Sequence, residues 1–181
     1  MRSIEEDVLK VLITKDEIDN RCKELADKLH KDYQDENPIF ICILKGALPF
    51  FAKMLEHLKF EMEIECVRVK SYDGMNSTGN VQIENFNFDH IKDRHVILVE
   101  DIIDTGLTMK KTTDLFKSKG VKSLEILALL NKPVLNQVQL NPKYIGFEIP
   151  HEFVIGFGLD YNEQYRNLPY IGVLKPEAIK K

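Results

Sequence analysis

The chain reads as an α/β protein: a parallel sheet flanked by helices, with a small lobe added from the two chain ends. Three observations predict this. The runs "PIFICIL", "HVILVED" and "SLEILALLNK" are continuously aliphatic over strand length, as expected of strands covered on both faces. Two of them lead directly into helical patterns, "ALPFFAKMLEHL" and "LTMKKTTDLFKSKG", and strand–helix alternation marks a parallel sheet with helices on both sides. The stretch from "YIGFEIP" to "YIGVL" breaks into short strands and turns, which is the material of an appended lobe. No repeat, low-complexity segment or linker interrupts the 181 residues, so residues 1–181 read as a single domain.

Each element has a local reason. Thr14 with Glu17 three residues later is a capping-box pattern, and Ile18, Cys22, Leu25 and Leu29 then recur at three or four, predicting an amphipathic helix. Pro49 is tolerable in the first turn of the helix after "PIFICIL". "EMEIECVRVKSY" alternates through Met62, Ile64, Cys66 and Val67, which predicts a strand with one drier face. "DGMNSTGNVQIENFN" is polar and aperiodic, a mobile loop with a short strand around Val81 to Ile83. Gly120 is expected at the C′ position that closes the "LTMKKTTDLFKSKG" helix.

Bulk properties exclude several functions. An apolar content of 44% and a charged content of 30% are those of an ordinary globular protein. A formal net charge of -4 argues against a nucleic-acid partner held by a basic face. No apolar run approaches the roughly 20 residues of a spanning helix, and "MRSIEEDVLK" is too acidic for a signal peptide. Cys22, Cys42 and Cys66 are odd in number and widely spaced, as reduced cytosolic thiols are, with Cys42 and Cys66 expected to be small buried hydrophobes. His30, His57, His90, His95 and His151 show no zinc-ligand spacing.

The chemistry is concentrated in "VILVEDIIDTGLT", where an aliphatic strand surfaces with Glu100 and Asp101, followed by Asp104 and a small-residue turn. Ligands of open α/β sheets bind beyond the carboxyl ends of the strands. A helix beginning at Leu107 would offer unpaired amides, two hydroxyls and a positive dipole end to a phosphate, with Gly106 letting the backbone approach the ligand. The acids suit hydroxyls or a divalent cation instead. Phosphate, vicinal hydroxyls and a bound metal together describe a ribose-type sugar phosphate. A solvated strand end followed by a plain helix cap is the competing reading of this motif alone.

These residues resemble the phosphoribosyl diphosphate signature of the type I phosphoribosyltransferases. The companion segments "ILKGALPFF", "VKSYDG", "LLNKP" and "FEIPHEFVIGFGLDYNEQYRNLPYIGVL" narrow the resemblance to the hypoxanthine-guanine phosphoribosyltransferases, from Ile43 to Leu174. The resemblance implies the type I fold with a hood lobe, and transfer of a phosphoribosyl group to a 6-oxopurine with release of pyrophosphate and help from magnesium (Mg2+). It implies that Glu100 and Asp101 hold the ribose hydroxyls and, with Asp160, the metal. Asp104, Thr105, Gly106, Leu107 and Thr108 would surround the 5′-phosphate, with Asp104 the general base at purine N7. A carboxylate beside an anionic ligand gains basicity, which suits that task.

By the same resemblance, Lys45 and Gly46 form a pyrophosphate loop, often with a non-proline cis bond between lysine and glycine, and Arg166 clamps the leaving group. Lys132 faces purine O6, Phe153 stacks on the base, and the Val154 backbone and Asp160 complete the purine site. Ser71 and Tyr72 belong to a lid that excludes water. Small-molecule substrates, a cytoplasmic location and a homodimer or homotetramer are also implied, without nucleic acid or membrane. The preference among hypoxanthine, guanine and xanthine stays open. Many relatives carry an arginine soon after the purine lysine, supporting the pyrophosphate loop; Leu135 and Asn136 stand in that region here. A phosphoribosyl diphosphate-sensing regulator is the alternative of another class, but it would need a basic face or an added DNA-binding segment. A transferase for another base is opposed by "FEIPHEFVIGFGLDYNE".

Overall fold

The computed structural model describes residues 3–71, 81–84 and 86–179. In chain order the elements are β1 (Val8–Ile13), α1 (Lys15–Tyr33), β2 (Ile39–Leu44), α2 (Ala47–Leu55), β3 (Glu63–Ser71), β4 (Val81–Ile83), β5 (His95–Ile103), α3 (Leu107–Lys117), β6 (Ser123–Asn131), β7 (Tyr144–Glu148), β8 (Val154–Ile155) and β9 (Ile171–Leu174). A six-stranded sheet has the order β4-β3-β2-β5-β6-β7, parallel except for the short antiparallel edge strand β4. A separate three-stranded antiparallel sheet, β1-β9-β8, joins the two chain ends into the expected small lobe.

Successive residues of the central strands enter different cores, which is why their sequences are continuously apolar. Phe40, Cys42, Ile97, Val99, Leu127 and Leu129 pack with Ile18, Cys22, Leu25 and Leu29 of α1 and with Phe50, Phe51 and Met54 of α2. Their neighbours Ile39, Ile41, Val96, Leu98, Ile126 and Ala128 pack on the other face with Met109 and Phe116 of α3. α1 starts as its sequence predicts: the Thr14 hydroxyl accepts from the Glu17 amide at 3.3 Å and the Glu17 carboxylate accepts from the Thr14 amide at 2.8 Å.

Two expectations are corrected. Cys66 is exposed and Ile64 is 52% exposed, so the dry side of β3 is the one that carries Val67. The cause is tertiary: α2 packs over β2 and β5, so Cys42 is covered while Cys66, its register partner in β3, is not. Gly120 does adopt a left-handed conformation, with φ of 79°, but α3 is capped at Ser118, which puts the glycine one position beyond C′.

α1 is also tied to the sheet through Asp32. Its carboxylate accepts from the Tyr144 hydroxyl of β7 and pairs with Lys143 at 3.0 Å. The Tyr144 hydrogen bond, followed by the Lys143 interactions, holds the Asp32 carboxyl below its ordinary range. A depressed carboxyl contributes stability above its unfolded pKa and loses it as pH falls through the lower folded value. Asp32→Asn is therefore expected to lower the thermal midpoint at pH 7, by a difference from wild type that closes below about pH 4. Thermal unfolding across that range checks it; a gap independent of pH would contradict the ionic origin.

Candidate active site

Parallel strands deliver their carboxyl ends to one edge of the sheet, and the candidate residues emerge there. β5 carries Glu100 and Asp101 near its carboxyl end and continues to Ile103. The Asp101 amide donates to the Glu100 carboxylate at 3.1 Å, while the Asp101 carboxylate accepts from the Ile102 amide at 2.8 Å. Burial, reinforced by the Asp101 charge, pushes the Glu100 carboxyl well above its ordinary range. Two acids crowded in this way are relieved by hydroxyl donors or by a cation.

Beyond them the chain turns at Thr105-Gly106 and enters α3 at Leu107. Gly106 is left-handed, with φ of 79°, and a Cβ there would meet Leu140 at 2.9 Å and Val138 at 3.1 Å. The glycine is thus required by its conformation and by the packing behind it, a different reason from close ligand approach. Leu107 and Thr108 are exposed at the helix start, and the Thr105 hydroxyl accepts from the Leu107 amide at 3.4 Å. A helix N-terminus open to solvent is a ready anion site.

Asp104 is exposed beside this turn, and Lys132 follows the end of β6. Register pairing of Ile103 with Asn131, and a hydrogen bond from the Lys132 amide to the Ile103 carbonyl at 2.9 Å, bring the two together. Their charged atoms are 3.7 Å apart; the Lys132 side chain is only 9% exposed and that of Asp104 50%. Phe153, 46% exposed, meets Tyr161 edge-on with centroids 5.6 Å apart. Val154 is buried in β8. Because β8 is an edge strand, one side of its backbone points away from β9.

The third group of residues joins the small lobe to the sheet. Lys45 and Gly46 link β2 to α2. The cis peptide bond lies between Leu44 and Lys45, one residue before the expected Lys45–Gly46 bond. A Cβ on Gly46 would fall 1.5 Å from an Asp101 carboxylate oxygen, and a Cβ on Gly158 would fall 2.0 Å from the Gly46 carbonyl oxygen. Arg166 donates to the Gly158 carbonyl at 2.7 Å and pairs with Asp160 at 2.7 Å and Glu163 at 3.1 Å. Glu163 also pairs with Lys45 at 2.7 Å; Lys45 and then Arg166 hold its carboxyl below the ordinary range. Lys45 is thus paired with Glu163, Gly158 packs closely on the Gly46 carbonyl, and the Asn136 side chain reaches Asn131 at 3.4 Å.

The contributions of Glu163, Gly158 and Tyr161 were not read from the sequence. Glu163 stands between Asp160 and Arg166 in "DYNEQYR", and an acid between an expected metal ligand and the expected pyrophosphate clamp was the available signal. Ser71 ends β3, and Tyr72 lies outside the described residues. Among the described residues, no three His, Cys, Asp or Glu side chains converge as a ready cation cage. Glu100, Asp101 and Asp160 therefore do not form one. The Glu100–Asp101 pair fits magnesium of the kind held by one or two carboxylates and completed by ligand oxygens. No described helix is long and apolar enough to cross a membrane.

Known proteins resemble this chain over nearly its whole length. The family model of the phosphoribosyl transferase domain matches residues 14–162. A hypoxanthine-guanine phosphoribosyltransferase of Streptococcus pneumoniae is 47% identical over 97% of this chain and 98% of its own. One from Streptococcus pyogenes is 43% identical over 98% of this chain and 99% of its own. The crystal structure of a hypoxanthine phosphoribosyltransferase from Staphylococcus aureus superposes with a TM-score of 0.93 at 44% identity, covering 100% of both chains.

The contact between Gly46 and Asp101 yields a prediction. Gly46→Ala must displace the Asp101 carboxylate, and a shift of about 1 Å in a positioning group costs on the order of 10²-fold. Calorimetry is expected to show weakened phosphoribosyl diphosphate binding, with kcat/KM lowered by about that factor and the thermal midpoint little changed. Wild-type affinity in the variant would remove Asp101 from the site.

Proposed function

Since the chain belongs to the phosphoribosyl transferase family, we propose that it is a purine salvage enzyme acting on hypoxanthine, guanine or both. It transfers the 5-phosphoribosyl group from phosphoribosyl diphosphate to the base, forming IMP or GMP. The observation that carries this reading is the Lys132–Asp104 pair, a cation and a carboxylate 3.7 Å apart beside an exposed Phe153. A 6-oxopurine presents an acceptor, O6, next to a proton on N7. Lys132 donates to O6, Asp104 accepts from N7, and Phe153 stacks on the ring. A 6-amino group would instead turn its N–H toward Lys132 and lose the interaction.

In the reaction N9 bonds to C1′ as the bond from C1′ to the pyrophosphate oxygen breaks. The N7 proton passes to Asp104, and pyrophosphate departs with the bonding electrons. The transition state is oxocarbenium-like, so stabilising the departing charge is the main task. Lys45 and Arg166 meet that charge. The turn 105–108 and the start of α3 hold the 5′-phosphate, and Glu100 and Asp101 accept from the ribose hydroxyls. Magnesium, when bound through Glu100, Asp101 or Asp160 and donor oxygens, neutralises donor charge. The Val154 backbone and Asp160 bound the purine pocket. Ser71 and Tyr72 begin a lid that excludes water from the reaction. Residues 1–181 act as one domain; a cytoplasmic location and an assembly of two or four copies complete the proposal.

A steady-state assay with hypoxanthine, guanine, xanthine and adenine tests the substrate class. Turnover with an oxopurine and none with adenine is expected; the reverse would defeat the reading. Asp104→Asn keeps a hydrogen-bonding side chain but cannot take a proton, so kcat is expected to fall by about 10²–10⁴ with donor binding largely retained. Lys132→Ala is expected to raise the oxopurine KM and leave calorimetric donor binding intact. An unchanged purine KM with weakened donor binding would move Lys132 to the donor side.

A further inference from the structure

We propose that Glu163 is a built-in stand-in for the leaving pyrophosphate: its carboxylate bridges Lys45 and Arg166 in the free protein and is displaced when the anion binds. The proposal rests on the reading that these two cations hold pyrophosphate. Each Glu163 oxygen serves a different cation, Oε2 at 2.7 Å from Lys45 and Oε1 at 3.1 Å from Arg166. A phosphoryl group offers the same pair of acceptors to the same pair of donors. Lys45 comes from the β2–α2 turn and Arg166 from the segment before β9, so the carboxylate spans the junction where the leaving group is to sit.

The surroundings favour displacement of the side chain without collapse of the site. Glu163 is held at its backbone: its amide donates to Asp160 at 2.9 Å, and Asn162 and Glu163 are left-handed, with φ of 52° and 63°. Non-glycine residues in that conformation persist only where the surrounding structure enforces it. The Glu163 side chain is 64% exposed and has water to move into. Arg166 keeps Gly158 and Asp160 as partners when Glu163 leaves. Among the described residues, Lys45 has no other ion-pair partner, so displacement frees it for the incoming anion. A more highly charged anion outcompetes a single carboxylate for two cations. Glu163 then keeps the empty clamp assembled, and it weakens pyrophosphate and donor binding by competing with them.

Calorimetry with magnesium pyrophosphate on wild type, Glu163→Gln and Arg166→Ala tests this. Removing the competing charge is expected to tighten pyrophosphate binding by roughly threefold to tenfold, the range for two exposed ion pairs. The gain should shrink as salt rises, and the purine KM should not change. Unchanged or weaker pyrophosphate binding in Glu163→Gln at a wild-type thermal midpoint would overturn the proposal, leaving Glu163 a structural tie between the lobes. If Glu163→Gln is unstable, Glu163→Asp is measured instead, since it keeps the charge but is a methylene too short to bridge both cations. Tighter binding there supports displacement, and equal or weaker binding overturns it. Arg166→Ala separates the two levels. If it binds pyrophosphate as wild type does, the assignment of the subsite itself fails, whatever Glu163 does.

Discussion

The site depends on a backbone contact that leaves no room for a side chain. Gly46 lies against the Asp101 carboxylate on one side, while its carbonyl oxygen lies against Gly158 on the other. A Cβ on Gly158 would overlap the backbone carbonyl oxygen of Gly46, and one on Gly46 would overlap the Asp101 carboxylate, which would have to move. This close approach sets the distance between the large sheet and the small lobe, and so the distance between the acids of β5 and the cations of the Lys45 and Arg166 segments. Sites assembled from rigid strand ends hold their geometry more closely than sites on free loops.

The cations at this edge of the sheet are each paired with a carboxylate. Lys132 meets Asp104, Lys45 meets Glu163, and Arg166 meets Asp160 and Glu163. A buried or half-buried charge without a partner is costly, so these pairs keep the open site stable. The Lys132–Asp104 pair is long and the Lys45–Glu163 pair is exposed, whereas the Arg166–Asp160 pair is short and mostly covered. Glu100 and Asp101 are the exception: burial, reinforced by the neighbouring Asp101 carboxylate, disfavours the charged form of Glu100. That tension favours whichever ligand brings hydroxyls or a cation to them.

Much of this was legible along the chain because it is local. The Thr14–Glu17 capping box, the buried runs of β2, β5 and β6, the short strand β4 and the start of α3 at Leu107 depend on residues a few positions apart. Periodicity failed for β3, where alternation identified a strand but could not say which face is covered. Cys42 and Cys66 are register partners with opposite burial, and only the position of α2 separates them. Gly106 was singled out for close approach of a ligand, yet the structure also shows a left-handed φ of 79° there, with Leu140 and Val138, over thirty positions further along the chain, behind it.

The sequence by itself determined the fold class, the chemical character of the strand end at Glu100 and Asp101, and most of the residues gathered there. Those follow from side-chain polarity, from hydrophobic period and from the special backbone needs of glycine and proline, all of which act over a few residues. Only the tertiary structure decided which charges meet. Lys45 and Glu163 are 118 positions apart and Lys132 and Asp104 are 28 apart, and nothing in either neighbourhood names the other. Their pairing is set by strand order, by register and by the Gly46–Gly158 contact, because electrostatic partners are chosen by distance in space and the fold is what determines that distance.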